Sequence, residues 1–269
     1  MPSTGGGAES LRIGLIGCGN MARALARGWG RPVVCFDPFA DRARRLAEEL
    51  GGCAMSSNRE VADNADVLVL AHKPAQLREV AAELGEGATG RAVASILAAT
   101  PLADLRSAYP DSSVFRFLPS LPVEVRRGAI VQARGSGGSG TRAGGSAMDG
   151  LDEAVTALFG ELGMLVMLDD SLVDVAMGLM SCAPAYVALV AEAQIDAGVR
   201  RGIPAAQGAP LVVETLAGTA ELLRSRSYDT IAVRREVTSP GGLTARGLDA
   251  LERGGVRAAF SDALDAVLR

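Results

Sequence analysis

Leu11-Arg-Ile-Gly-Leu-Ile-Gly-Cys-Gly-Asn-Met-Ala22 is the stretch on which the fold turns. Leu11 to Ile16 is a short, continuous apolar run of the kind that forms a buried parallel strand. Gly17, Cys18, Gly19, Asn20, Met21 and Ala22 then fit G-x-G-x-x-A, and a helix is expected from about Met21 to Gly28. Strand, glycine turn and helix in that order are the context that gives such a motif meaning. The glycines allow a tight turn and let backbone approach a pyrophosphate. The helix N-terminus supplies N–H groups and the positive end of its dipole. The next apolar run, Pro32 to Phe36, ends at Asp37, about 20 residues after Gly17, where an acidic side chain accepts the ribose hydroxyls of a dinucleotide. Asp37 favours NAD, because it repels a 2′-phosphate. Arg42, Arg44 and Arg45 follow closely and would offset that repulsion in favour of NADP, although an ordinary solvated helix face accounts for them better. NAD(P)H is the expected cofactor, leaning to NADH.

Outward from this motif the pattern alternates. Helix is expected over Ala40 to Leu50, Arg59 to Asn64, Ala75 to Leu84 and Pro101 to Ala108. Strand is expected over Val67 to Ala71, Ala92 to Leu97 and Ser113 to Leu118. This is the signature of an N-terminal Rossmann-type α/β domain with a doubly wound parallel sheet. Residues 134–150 are rich in Gly and Ser and read as a surface loop inside it, because Asp152 to Leu162 still fits a crossover helix and Met164 to Leu168 a further strand. The dinucleotide-binding domain is therefore placed at residues 1–168.

After Asp169 the strand pattern stops. Asp170 or Ser171 can cap a long helix reaching about Gly202, with Pro184 expected to kink it. Its apolar residues occupy nearly every side, which calls for burial all round, and pairing with a second copy is the simplest cover. Ala206 to Arg224, Asp229 to Glu236, Leu243 to Arg253 and Val256 to Leu268 complete an all-helical C-terminal dimerisation domain, residues 169–269. Within it, Ser239, Pro240, Gly241 and Gly242 precede the helix that starts near Leu243. Two glycines at a helix N-terminus present backbone N–H groups to a carboxylate, and Thr244 offers a hydroxyl in the first turn. A plain Pro-Gly turn with a hydroxyl cap fits the same residues.

Composition narrows the partners. The formal net charge is −4 and no basic stripe is present, which argues against nucleic acid. Met177 to Val190 is apolar, but Glu192 and Asp196 follow too soon for a membrane span, and MPSTGGGAES lacks the order of a signal peptide. Cys18, Cys35, Cys53 and Cys182 form no C-x-x-C pair and the chain has one histidine, His72, so no metal site is expected. Four reduced thiols suit the cytoplasm.

The opening run resembles that of pyrroline-5-carboxylate reductases, and the resemblance continues to the end of the chain. Asp66-Val-Leu-Val-Leu-Ala-His-Lys-Pro74 resembles the family's strand ending in Val-Lys-Pro. Val114-Phe-Arg-Phe-Leu-Pro-Ser-Leu-Pro122 resembles its Arg-x-Met-Pro-Asn-Thr-Pro segment, and Pro184-Ala-Tyr186 with Asp196-Ala-Gly-Val199 its long helix. Val237-Thr-Ser-Pro-Gly-Gly-Leu-Thr244, with Gly247-Leu248 and Leu251-Glu252 downstream, is the most specific match. The resemblance implies reduction of 1-pyrroline-5-carboxylate to L-proline, the last step of proline biosynthesis, by hydride transfer from NAD(P)H. It places the substrate carboxylate on Ser239 to Gly242 beside Leu243 and Asp170, and Thr244 near the ring nitrogen as the catalytic residue. It adds Ile16, Asn58, Ala71, His72, Lys73, Pro74, Leu97 and Ala98 to the glycine loop and Asp37 as cofactor contacts. A homodimer through the helical domain follows, and a decamer built from such dimers is compatible with the family.

Departures cluster near the implied site. Met180-Ser-Cys-Ala stands where the family has Ser-Gly-Ser-Gly, and Leu118-Pro-Ser-Leu-Pro122 loses an amide side chain. Asp170 is shorter than the family's Glu, Leu243 is bulkier than its counterpart, and Ala99 replaces a Gly. An imine reductase with another substrate therefore stays open, as does a cofactor-binding paralogue with little activity. A β-hydroxyacid dehydrogenase would need a lysine in the helical domain, and none follows Lys73.

Overall fold

β1 (Ile13–Ile16), β4 (Val67–Leu70) and β5 (Ala92–Ser95) are buried at every position. Continuous apolar runs rather than alternation are what a parallel sheet covered on both faces requires. The computed structural model describes residues 11–138 and 145–269. In it β2 (Val33–Phe36), β3 (Cys53–Ala54), β6 (Ser113–Pro119), β7 (Gly128–Ala133) and β8 (Gly163–Leu168) complete an eight-stranded sheet of order β3-β2-β1-β4-β5-β6-β7-β8. Every neighbouring pair is parallel except β6 and β7. The order reverses between β1 and β4, so a crevice opens there at the carboxyl ends of the strands.

α1 (Asn20–Trp29), α2 (Ala40–Leu50) and α6 (Gly145–Gly160) bring residues such as Leu25, Leu46 and Phe159 to the same core as Leu15, Val69 and Phe117. α3 (Asn58–Asp63), α4 (Leu77–Leu84), α5 (Leu102–Ala108) and α7 (Asp170–Ala176) close a second core with Leu68, Val93 and Val114. The first core holds a run of aromatic rings. Trp29 meets Phe159 edge-on at 5.6 Å, Phe159 stacks on Phe117 at 3.8 Å, and the Trp29 indole donates to the Leu158 carbonyl at 2.9 Å. Each such ring pair contributes roughly 0.5–1.5 kcal/mol beyond area burial.

Four features depart from the sequence expectation. The two-residue β3 was not anticipated, and neither was β7. β7 follows a 3-10 segment, Leu121–Val125, and pairs antiparallel with β6 through Phe117, Leu118 and Pro119. α6 begins at Gly145, inside the stretch expected to be loop, and residues 139–144 of that stretch lie outside the described residues, as does the N-terminal tail 1–10. The long helix is not one regular helix. α7 passes through a π turn, Met177–Ser181, into α8 (Ala183–Val199). Pro184 lies in the first turn of α8, where its missing N–H has no intrahelical acceptor to lose, so the irregularity falls in the π turn before it. Asp169 takes the N-cap position of α7, but without a side-chain hydrogen bond to the helix.

Packing divides the chain after Ser181. The second unit, Cys182–Arg269, consists of α8, α9 (Ala205–Ser225), α10 (Thr230–Glu236), α11 (Leu243–Arg253) and α12 (Val256–Leu268). α8 ends before Gly202, whose left-handed φ of 97° closes the turn. No residue of α8 is buried, and Val187 and Leu189 are exposed. By length and composition Asp170–Val199 passes as a membrane span, contrary to the expectation from Glu192 and Asp196.

Candidate functional site

The glycine loop is shaped by one backbone constraint. Gly17 has φ of 97°, and a β-carbon there would stand 2.9 Å from the Ala71 carbonyl oxygen, so only glycine lets the turn leave β1 beside β4. Gly19 occupies the N-cap of α1 and provides no side-chain cap. A β-carbon on Gly19 would meet no atom within 4 Å, so the first turn of α1 presents its N–H groups to open space.

Asp37 follows β2 and is 6% exposed. One carboxylate oxygen accepts the Cys18 N–H at 2.9 Å and the other accepts the Phe39 N–H at 2.9 Å. The side chain thus holds the glycine loop in place and also lines the crevice. Arg42 lies 3.9 Å from Asp37 and stacks its guanidinium on Phe39, 4.5 Å from the ring centroid. Arg44 pairs with Asp41 instead. The buried Cys18 thiol donates to the Phe36 carbonyl at 3.7 Å, and the neighbouring Cys35 thiol together with burial pushes its pKa far up, which leaves it unreactive.

The crevice at the strand ends has a volume of about 620 Å³. It is lined by Gly17, Gly19, Asn20, Met21, Ala22, Asp37, Ala71, His72, Lys73, Pro74, Leu97 and Ala98, all expected cofactor contacts. Ile16 and Asn58 line an adjoining 490 Å³ cavity that shares Gly17 and His72. Cys18 lines a third, of 480 Å³, with Arg23, Arg42 and Arg45. Sequence reasoning missed Arg23 and Phe39. Arg23 lies one turn into α1 from Gly19, and that helical spacing was the available signal.

Asn58 opens α3 but does not cap it. Ser57 caps α3 by accepting the Glu60 N–H at 3.1 Å. Asn58 is free to turn inward, where its amide donates to Glu83 and its Oδ1 is buried without a partner among the described residues. His72 Nδ1 lies 2.8 Å from the Lys73 carbonyl, so that nitrogen carries the proton and donates. Its Nε2 is buried and unpartnered among the described residues, and burial holds the imidazole pKa below its ordinary value.

The second expected region lies in the helical unit. Gly241 has a left-handed φ of 68°, and the Gly242 N–H closes a turn onto the Ser239 carbonyl at 3.0 Å. Gly242 is the N-cap of α11 without a side-chain cap, Leu243 is 79% exposed, and Ser239, Pro240 and Thr244 are exposed. The loop offers an anion the free N–H groups of a helix start, with a hydroxyl in its first turn.

Asp170, expected beside the substrate carboxylate, is hydrogen-bonded within the sheet unit. One oxygen accepts from Arg116 at 2.8 Å and the other from the Leu102 N–H at 3.0 Å. Both are engaged inside the protein, and a carboxylate would in any case repel an acidic substrate. Among the described residues no cluster of ligating side chains could hold a metal.

Comparison with known proteins agrees with this geometry. Residues 170–269 match the family described as pyrroline-5-carboxylate reductase dimerisation, and residues 12–99 match the family described as NADP oxidoreductase coenzyme F420-dependent. The pyrroline-5-carboxylate reductase of Synechocystis sp. is 33% identical over 97% of this chain and 97% of its own length. That of Glycine max is 33% identical over 97% and 95%. The structure of the Streptococcus pyogenes 1-pyrroline-5-carboxylate reductase superposes with a TM-score of 0.83, at 26% identity and covering 96% of each chain. With a dinucleotide crevice in one unit, an open helix start in the other and whole-length relatives of this kind, the chain belongs to the pyrroline-5-carboxylate reductase family.

Proposed function

We propose that this protein reduces 1-pyrroline-5-carboxylate to L-proline, the last step of proline biosynthesis. Family membership over nearly the whole chain supports the activity. The observation that carries the substrate site is the uncapped start of α11, with Thr244 in its first turn and two glycines before it. The N–H groups there hold the substrate carboxylate, with Ser239 and Pro240 shaping the turn. Thr244 orients the ring nitrogen, which is protonated in the reactive imine, and relays its proton exchange with water. The glycine loop and the start of α1 hold the pyrophosphate, and Asn58 and Asp37 face the adenosine end. The dinucleotide supplies the hydride that the electrophilic imine carbon accepts. Most of the rate enhancement then comes from holding two reactants in register.

NADH is the preferred coenzyme in this proposal, because buried Asp37 disfavours a further phosphate on the adenosine ribose. One observation favours NADPH instead: Arg23, Arg42 and Arg45 line a single cavity beside the glycine loop. We place dinucleotide binding in residues 1–168, and substrate binding and dimerisation in residues 169–269. A homodimer forms through the helical unit, whose central helix buries nothing on its own, and dimers of this kind are the units of any decamer. The apolar span Asp170–Val199 packs on protein rather than lipid, and the described thiols, all free, suit the cytoplasm.

The test is the loss of NADH or NADPH absorbance with pyrroline-5-carboxylate, wild type beside Thr244→Ala. We expect wild-type turnover, faster with NADH, and at least a roughly tenfold lower kcat in the variant, the worth of one well-placed hydrogen bond in the transition state. A wild type that binds coenzyme but leaves pyrroline-5-carboxylate untouched overturns the assignment and directs the search to other imines.

A further inference from the structure

Arg116 lies in the middle of β6, a strand buried at all its positions, and is 1% exposed. A cation in such a place is costly unless it is fully paired. Its Nη1 donates to Asp170 Oδ1 at 2.8 Å and to the Asp170 carbonyl at 3.1 Å, and its Nη2 donates to Asp174 Oδ1 at 2.6 Å. The two acids stand four residues apart in α7 and so share one helix face.

Each acid makes a second bond, and both second bonds go to the same segment. Asp174 Oδ1 accepts the Ala99 N–H at 3.2 Å and Asp170 Oδ2 accepts the Leu102 N–H at 3.0 Å. Between these anchors the chain turns from β5 into α5. Ala99 sits there with a left-handed φ of 49°, which a residue with a side chain adopts only when its surroundings impose it. Immediately before Ala99 come Ile96, Leu97 and Ala98, which form a wall of the 620 Å³ crevice. None of Arg116, Asp170 and Asp174 lines that crevice. An apolar residue packed in place of the buried Arg116 would serve stability as well as the ion cluster does, so stability alone does not explain this one. Fixed bond lengths and a forked donor make it suited to setting a backbone position.

We propose that Arg116, Asp170 and Asp174 are positioning residues that set the Ile96–Ala98 wall of the dinucleotide crevice, so that coenzyme affinity depends on a cluster that does not touch the coenzyme. The proposal rests on the crevice being the dinucleotide site. It reassigns Asp170 from substrate contact to support of the cofactor wall.

The experiment compares wild type, Asp174→Ala, Asp174→Asn and, as a control, Phe159→Leu, which weakens the aromatic core without touching the segment. Coenzyme Kd is measured by fluorescence with NADH and with NADPH, kcat at saturating coenzyme, and Tm for each protein. Asp174→Ala removes the acceptor for the Ala99 N–H while leaving Arg116 paired with Asp170. We expect its coenzyme Kd to rise about tenfold, the scale of effect when support behind a binding wall is lost, with kcat at saturation nearly unchanged. Asp174→Asn keeps an oxygen for the Ala99 N–H and should restore most of the affinity; it also carries the comparison if the alanine variant does not fold. Phe159→Leu should lower Tm and leave Kd unchanged. If the Asp174 variants lower Tm and leave Kd within twofold of wild type, the cluster is only structural and the proposal is overturned. If wild type binds neither coenzyme, the crevice assignment fails and the proposal with it, a result distinct from unchanged variants of a binding-competent wild type.

Discussion

His72 stands at the end of β4 with one ring nitrogen committed to the Lys73 carbonyl and the other buried, and burial lowers its pKa. The folded chain therefore resists protonating it, while the unfolded chain takes the proton near the ordinary value of 6.5. As pH falls below 6.5 the unfolded state binds more protons and stability drops, until the depressed folded value is reached. His72→Gln should flatten the fall in Tm below pH 6.5, as followed by calorimetry in a pH series. A slope identical to wild type would mean that another group governs this window. Single residues differ in how legible they were in the sequence. Asp37 was found from its spacing after Gly17, but its bond to the Cys18 N–H was not, because a spacing rule says nothing of what else a carboxylate touches. The partners of Asp170 were hidden for a related reason: resemblance marks a position, whereas Arg116 and Leu102 are brought to it by tertiary packing.

Among the elements, α1 carries the clearest constraint. A β-carbon on Gly28 would stand 2.2 Å from the Val123 carbonyl oxygen and 2.7 Å from a Leu162 methyl, so helix and 3-10 segment touch backbone to side. Gly28→Ala should lose more through that clash than it gains from the better helix propensity of Ala, for a net loss of about 1–3 kcal/mol in urea unfolding. A neutral or stabilising result would show that the 3-10 segment yields. Strands with unbroken apolar runs and helices with a single buried face were read correctly from the sequence, since their periods are local signals. β7 was not, because its run is interrupted by Gln132 and its antiparallel pairing with β6 needs no crossover helix to announce it. The π turn at Met177–Ser181 has no sequence period of its own and was read as continuous helix.

At the scale of the molecule, the apolar surface of α8 is an unmet demand. Its exposed Val187 and Leu189 belong to a unit that matches a dimerisation family. Leu189→Glu should shift sedimentation from dimer towards monomer at micromolar concentration, since burying an unpaired carboxylate costs several kcal/mol. An unchanged dimer would place the contact on another face of the helical unit. The two-part organisation was visible in the sequence because strands give way to helices after Asp169. The packing division falls later, after Ser181, because α7 is held by Arg116 to the sheet, a long-range bond that composition does not record.

Trp29 is the chain's only tryptophan, and it closes the helix whose other end is the glycine loop. Ten helical residues separate the two ends, about 15 Å at 1.5 Å per residue. The indole emits where a reduced nicotinamide absorbs and an oxidised one does not. The chain therefore contains a built-in optical donor: binding of reduced coenzyme should dim its emission, oxidation of the coenzyme during turnover should restore it, and unfolding of the sheet unit should shift its colour while the helical unit contributes no tryptophan signal.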